Sequence, residues 1–361
     1  MKVAFVSFDF GEYCVRLASG IARYAEVRLF LPENEVQPYA YLLAQSVGLQ
    51  TFKKPRLRQA FRQIEMSRKL LAGIKQFKPD VIHIQQGHGW FNAALPLLRD
   101  YPLVITSHDP VKHGGEKTPQ WIFDQGSFRA GEIIVHTPQM KALVLERLKV
   151  SESRVHVITH ILCGDDSVHQ EIQEEESLVL FFGRITEYKG LQYLIRAQPL
   201  VTARIPGARF VIAGKGESFD RYRRMMPNSD RFTICNEYIS DEKRAELFRR
   251  ASVVVLPYIE ATQSGVIPVA YSFGKPVIAT AVGGLSAQVD DGKTGYLVAP
   301  RDERALADAI VRLLADRDLR HQFGSEGKRR IAAEANPGIV ASATAEVYKL
   351  CASRRRNRDG H

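Results

Sequence analysis

PYIEATQSGVIPVAYSFGKPVIATAVGGLSAQVDDGKTGYLVAP, residues 257–300, decides how the rest of the chain is read. Just before it, Val253–Leu256 is a short β-branched run stopped by Pro257. Within it, Ala270–Phe273 closes a helix at Gly274, and Pro276–Thr280 is a second β-branched run. The order is strand, helix, strand. The loop ahead of the helix, Glu260-Ala261-Thr262-Gln263-Ser264-Gly265-Val266, places hydroxyls, an amide and a glycine where the helix starts. Free backbone N–H groups and the positive end of the helix dipole point outward at such a place, which suits an anion.

The same βα rhythm extends on both sides. Leu178–Phe182 reads as a buried strand, and Gly183-Arg184-Ile185-Thr186-Glu187-Tyr188-Lys189-Gly190 opens a helix through Leu194. Cations at a helix start oppose the dipole, so Arg184 and Lys189 need another reason to be there. Phe210–Ala213 leads into the tight turn Gly214-Lys215-Gly216-Glu217, and Phe232–Cys235 leads to Asn236-Glu237-Tyr238-Ile239-Ser240. Tyr296–Val298 is the last strand, followed by helical patterns from Asp302 through Ala333. Pro337-Gly338 breaks the chain before a final helical run, Ile339–Leu350, and a basic tail, Arg354-Arg355-Arg356, expected to be disordered.

Toward the N-terminus, Lys2–Ser7 is apolar enough for a central parallel strand and turns through Phe8-Asp9-Phe10-Gly11-Glu12 into the amphipathic segment Tyr13–Tyr24. Glu26–Leu31, Pro79–Gln85, Leu103–Ser107, Glu132–His136 and Val155–Ile158 read as further strands. Ligands of open α/β sheets sit beyond the carboxyl ends of the strands, where His88 and His108 fall. Lys112–Lys117, with two glycines, reads as a mobile loop beside a cleft. Gly164–Ser177 is acidic and polar without an apolar period, which suits an interdomain connector.

At 361 residues and 45% hydrophobic content the chain can bury two cores. No run approaches the roughly 18–20 apolar residues of a membrane span, and Met1-Lys2 leads straight into a strand, so a cytoplasmic protein is expected. Cys14, Cys163, Cys235 and Cys351 are too scattered for a disulfide frame or a structural zinc site. A net charge of +10 calls for an anionic partner. No nucleic-acid-binding module is recognisable, so nucleic acid is not expected to be that partner. Lys53, Lys54, Arg56, Arg58, Arg62, Arg68, Lys69, Lys75 and Lys78 surround Leu57, Phe61, Ile64, Leu70, Leu71 and Ile74 at roughly helical spacing. That basic amphipathic region, 53–78, suits peripheral contact with an anionic inner membrane face or a lipid-linked phosphate.

Taken together, these motifs resemble those of the retaining glycosyltransferases of family 4. The resemblance implies an α/β protein of the GT-B fold, with two Rossmann-like domains whose parallel sheets face across a cleft. Residues 1–163 would form the acceptor domain, with the helix 338–353 packing back on it; 164–177 the linker; and 178–337 the nucleotide-sugar domain. Counting back from Gly274-Lys275-Pro276-Val277, the two glutamates usual in the family fall on Ala261 and Val269. The loop instead resembles an Ala-Thr-Gln-Ser-Gly-Val sub-pattern of the same family.

The resemblance also assigns roles. Arg184 and Lys189 match the diphosphate-binding pair of Gly-Arg-x-x-x-x-Lys-Gly, which begins at Gly183. His108 matches the histidine facing the donor sugar, and these three make the catalytic set. Gly11 lies in the loop between donor phosphate and acceptor, Tyr238 and Ile239 border the nucleotide base, and Gly214 belongs to the donor side. Thr262, Gln263, Ser264, Gly265 and Val266 form the donor loop, and Glu260 is the carboxylate nearest the missing first glutamate. No cofactor is expected beyond the donor itself, with a UDP-sugar favoured, and the acceptor would be a glycan or lipid-linked saccharide. None of the motifs quoted above contains an Asp-x-Asp element, so a metal-independent transfer is expected. Two rival readings remain open on sequence: a sugar-nucleotide epimerase of the same architecture, and a non-catalytic subunit that binds without transferring.

Overall fold

The computed structural model describes residues 1–85, 87–108, 120–164 and 172–359, which divide into two compact units, 1–161 with 334–361 and 162–333. Unit 1 is built on a seven-stranded parallel sheet in the order β3-β2-β1-β4-β5-β6-β7. Its strands are β1 (Lys2–Ser7), β2 (Glu26–Pro32), β3 (Gly48–Phe52), β4 (Val81–Gln85), β5 (Leu103–Thr106), β6 (Glu132–Val135) and β7 (Val155–Val157). Unit 2 carries a six-stranded parallel sheet in the order β10-β9-β8-β11-β12-β13. Here the strands are β8 (Leu178–Phe182), β9 (Arg209–Ala213), β10 (Phe232–Cys235), β11 (Val253–Leu256), β12 (Val277–Thr280) and β13 (Gly295–Val298).

Central strands such as β1, β4 and β11 are buried along almost their whole length, because helices cover both sheet faces; that is why they read as continuous apolar runs. β3 went unanticipated. It is an edge strand whose residues are exposed or half-buried, so burial imposes no apolar pattern on it.

Three further expectations change. The basic tail is helical, within a helix running Pro337–Asp359, because Arg354 Nη1 donates 2.8 Å to the fully buried Glu132 carboxylate. The acidic segment ahead of β8 is held by unit 2 over its described residues: Glu174 meets Lys275 at 2.7 Å and Arg320 at 2.9 Å, and Glu175 meets Arg250 at 2.7 Å. The single amphipathic stripe read over 57–74 is divided. Leu70, Leu71 and Ile74 enter the core of unit 1, whereas Leu57, Phe61 and Ile64 stay in solvent. The segment expected to form a mobile loop, Lys112–Lys117, lies outside the described residues.

Candidate functional site

In each sheet the strand order reverses once, at β1/β4 in unit 1 and at β8/β11 in unit 2. At such a switch point the connections leave to opposite sides and open a crevice at the carboxyl ends of the strands.

In unit 2 that crevice is built from the two loops singled out in the sequence. Gly183 leaves β8 at φ 115°, and a side chain there would meet Lys189 Nζ at 3.2 Å and Val266 at 3.5 Å. Gly190 has φ 66°, and a Cβ on it would lie 1.9 Å from the Pro257 carbonyl. Both positive φ values favour glycine, and at Gly190 only glycine lets the two backbones approach so closely. Ile259 N–H donates 2.7 Å to the Tyr188 carbonyl, joining the two loops. Gly214, at φ 141°, packs directly on the Gly183 carbonyl.

Lys189 Nζ donates 2.8 Å to the Tyr258 hydroxyl, which lies 3.4 Å from Ser264 Oγ. Tyr258 and Ser264 are both buried. Lys189 forms no ion pair among the described residues; Arg184 is exposed and likewise has no acidic partner among them. The structure therefore brings Gly183, Lys189, Ser264 and Val266 together, with two cations left uncompensated by carboxylates. Tyr258 is the member the sequence reading passed over. Its position directly after Pro257, at the end of a central strand, was the one local hint, and it does not separate a site residue from a core tyrosine.

The amides of the 260–266 loop are less free than expected. Ser264 N–H donates 2.7 Å to Gln288 Oε1 while Gln288 Nε2 donates 3.0 Å back to the Ser264 carbonyl, and Val266 N–H donates 3.3 Å to Ser264 Oγ. The helix that follows, Val266–Ser272, is short, and of the Ser264, Gly265 and Val266 amides at its start only that of exposed Gly265 is left without such a tie. Gln288 thus fixes the loop's shape, while the Lys189 ammonium of the neighbouring Gly183–Gly190 loop, rather than a row of amides, is the main positive charge beside it. Gln263 Oε1 and Thr186 Oγ1, one on each loop, are buried without a hydrogen-bond partner. Ala261 and Val269, at the two places of the family's glutamates, are buried apolar side chains. Glu260, Tyr238 and Gly265 are exposed, Ile239 is half-buried, and Thr262 is buried.

At the unit 1 crevice Phe10 holds a left-handed backbone, φ 65°, and stacks on the His108 ring at 4.1 Å. Gly11 is not open toward solvent. Its N–H donates 3.0 Å to Glu35 Oε2, and a Cβ would lie 2.2 Å from the Glu35 carbonyl. Burial pushes the Glu35 carboxyl up, against the pull of the Gly11 amide. Lys54 Nζ donates 3.0 Å to the Phe8 carbonyl and 2.6 Å to Asp9. His88 stacks on Phe8 at 4.5 Å with both ring nitrogens buried and unbonded, and burial pushes it down to about 4.

His108 is buried, and its Nε2 lies 2.8 Å from Gln85 Oε1 and its Nδ1 3.2 Å from His136 Nε2. Burial, then the neighbouring histidines, hold it neutral, well below the usual histidine range.

Comparison with known proteins bears on the family and the fold. Residues 11–160 match the family described as Glycosyltransferase Family 4, and residues 176–316 match the family described as Glycosyl transferases group 1. An uncharacterized glycosyltransferase of Methanocaldococcus jannaschii is 24% identical over 97% of this chain and 98% of its own. Sucrose-phosphate synthase from Thermosynechococcus elongatus superposes with a TM-score of 0.74 at 21% identity, covering 97% of this chain and 99% of that one. An Anabaena protein solved with UDP and glucose superposes with a TM-score of 0.76 at 16% identity, over 97% of this chain and 100% of its own.

Proposed function

Because the chain belongs to the GT-B glycosyltransferases, we propose that it moves a hexosyl group, with retention and without a metal ion, from a nucleotide-diphosphate sugar to a hydroxyl acceptor. The observation that carries this reading is the Lys189–Tyr258–Ser264 chain of contacts beside Gly183 and Val266, with Arg184 on the same loop. As the bond from the anomeric carbon to the phosphate breaks, charge gathers on the departing diphosphate. A cation ~4 Å away contributes about 4 kcal/mol at an effective dielectric of ~20, enough for Lys189 and Arg184 to take the part a metal would play.

Retention follows from front-face attack. The acceptor oxygen bonds the anomeric carbon on the side the phosphate leaves, and a phosphate oxygen receives the acceptor's proton, so no protein base is required. His108 is assigned to orient the sugar or to stabilise its positive charge through the backbone carbonyl. Neutral and buried, it is not assigned as the proton acceptor. The UDP in the Anabaena neighbour supports a UDP-sugar as donor, and a glycan or lipid-linked saccharide is the acceptor class.

Lys189→Ala should lower kcat by roughly 10²–10³-fold, the size of losing one transition-state charge partner, with the melting temperature unchanged. Near-wild-type turnover by the Lys189→Ala variant would overturn the clamp, and wild-type turnover should survive EDTA treatment. NMR of the anomeric proton in the product reads the stereochemistry.

The basic region supports a peripheral membrane contact. Leu57 is 57% exposed, Phe61 90% and Ile64 48%, and Lys53, Arg56, Arg58, Arg62 and Arg68 around them all face solvent. Trp90 Nε1 donates 3.1 Å to the Leu57 carbonyl, adding an exposed ring to the patch. Each cation near an anionic leaflet adds about 1 kcal/mol, and the apolar side chains can enter the interface. No helix among the described residues is long and apolar enough to cross a membrane. Phe61→Asp should weaken sedimentation with phosphatidylserine vesicles about tenfold at constant salt; equal binding would count against the contact.

A further inference from the structure

The strands β5, β6 and β7 lie side by side, and each delivers a histidine just beyond its carboxyl end: His108, His136 and His160. One nitrogen from each ring lies within 4.8 Å of the other two. We infer that these three histidines form a binding site for a borderline divalent metal ion of the zinc class, on unit 1 and independent of the diphosphate clamp of unit 2.

The hydrogen bonds around the rings carry the argument. His136 Nδ1 lies 2.9 Å from the Ile158 carbonyl, and His160 Nδ1 lies 2.8 Å from the Ile161 carbonyl. A carbonyl can only accept, so both Nδ1 atoms carry the proton and both Nε2 atoms present a lone pair. His108 Nε2 faces Gln85 Oε1, also an acceptor, whose amide nitrogen is 3.0 Å from His83 Nε2 and 3.3 Å from Thr106 Oγ1. That leaves the lone pair of His108 on Nδ1, pointing at His136 Nε2 across 3.2 Å. Two lone pairs at that distance repel unless a cation lies between them.

A tetrahedral zinc ion with Zn–N bonds of ~2.05 Å holds its nitrogens about 3.3 Å apart, close to the His108–His136 spacing. Closing the widest span takes a movement of roughly 1.5 Å, and this falls to His160, the half-buried member. Metal-bound histidines ordinarily give their outer N–H to a carbonyl or carboxylate, as all three do here. Burial also keeps the rings neutral, the form that binds metal. Neutral imidazoles favour zinc, cobalt, nickel or copper over magnesium or calcium. The ion would tie together the carboxyl ends of three strands and fix the turn that carries the His108 backbone, leaving a fourth position for water.

The test is a titration of the full-length, chelator-stripped protein with Co²⁺. One equivalent should give the intense visible absorption of a four-coordinate site, be displaced by Zn²⁺, and raise the melting temperature. His160→Ala should weaken Co²⁺ binding at least tenfold, while His156→Ala, which removes an imidazole outside the cluster, should leave it unchanged. Circular dichroism of the metal-free variants shows whether each has folded, and His136→Gln serves as the second cluster variant. Absence of the visible band in the wild type would overturn the site, as would equal binding by folded His160→Ala. Either result would mean that a proton, with the Gln85 amide turned over, joins His108 to His136.

Discussion

At the scale of single residues, the candidate donor site depends on Lys189 being an uncompensated cation placed by a buried phenol. Lysine has a flexible stem, and without a fixed partner its ammonium would sample many positions. The Tyr258 hydroxyl 2.8 Å away narrows them, and Tyr258 is itself held where the Thr280 hydroxyl donates 2.6 Å to its carbonyl. A hydrogen bond to a charged group is worth about 1.5–3 kcal/mol. Tyr258→Phe, which keeps the ring and its packing, should therefore reduce kcat/KM by roughly 10–100-fold with the melting temperature within a few degrees of wild type. Parallel steady-state kinetics and thermal melts check this. Arg184, Lys189 and Ser264 could be named from sequence because their types and spacing match a known pattern. Tyr258 could not, since a tyrosine after a strand is more often simply core, and only its contacts distinguish it.

At the scale of elements, the acidic stretch before β8 shows how composition misleads when pairing is invisible. Glu174 and Glu175 read as part of an acidic interdomain connector, yet the first is held by Lys275 and Arg320, whose side chains are 9% and 3% exposed. Burial by itself would raise the Glu174 carboxyl, but the two cations outweigh it and hold the group below its usual range. Its contribution to stability is therefore complete above the unfolded value of ~4.3 and is lost as the pH falls through the lower folded value. Glu174→Gln leaves two buried cations short of a counter-charge and should destabilise unit 2 by about 2–4 kcal/mol at pH 7. Urea melts at pH 7 and pH 3 should show that difference shrinking toward acid. The final helix teaches the same lesson: Arg354 belongs to an ordered element because Glu132, buried and far away in sequence, needs it.

At the scale of the whole molecule, the two units differ in what acid does to them. His83 is fully buried, bonded to Tyr348 at 2.6 Å and Thr106 at 2.8 Å, and burial pushes it down to about 3. His88 is pushed down to about 4 by burial, with Lys54 lowering it further and Asp9 opposing. Both groups are in unit 1, whereas the described histidine of unit 2, His321, is exposed. A depressed histidine stabilises fully above its unfolded value of ~6.5 and less as the pH falls, by up to about 1.4 kcal/mol per pH unit for each group. Hydrogen exchange between pH 7 and pH 4.5 should therefore show unit 1 loosening while unit 2 holds its protection; equal loss in both would contradict the assignment.

The sequence by itself determined the two βα units, nearly every central strand and the two loops of the candidate donor crevice, because burial on both faces and tight glycine turns leave local, periodic marks. Only the tertiary structure decided which charges are paired, that Gln288 takes the Ser264 amide, that Phe61 stays in solvent while Leu70 does not, and that three histidines from successive strand ends converge. Those facts depend on distances between residues far apart in the chain, and no local pattern encodes such distances.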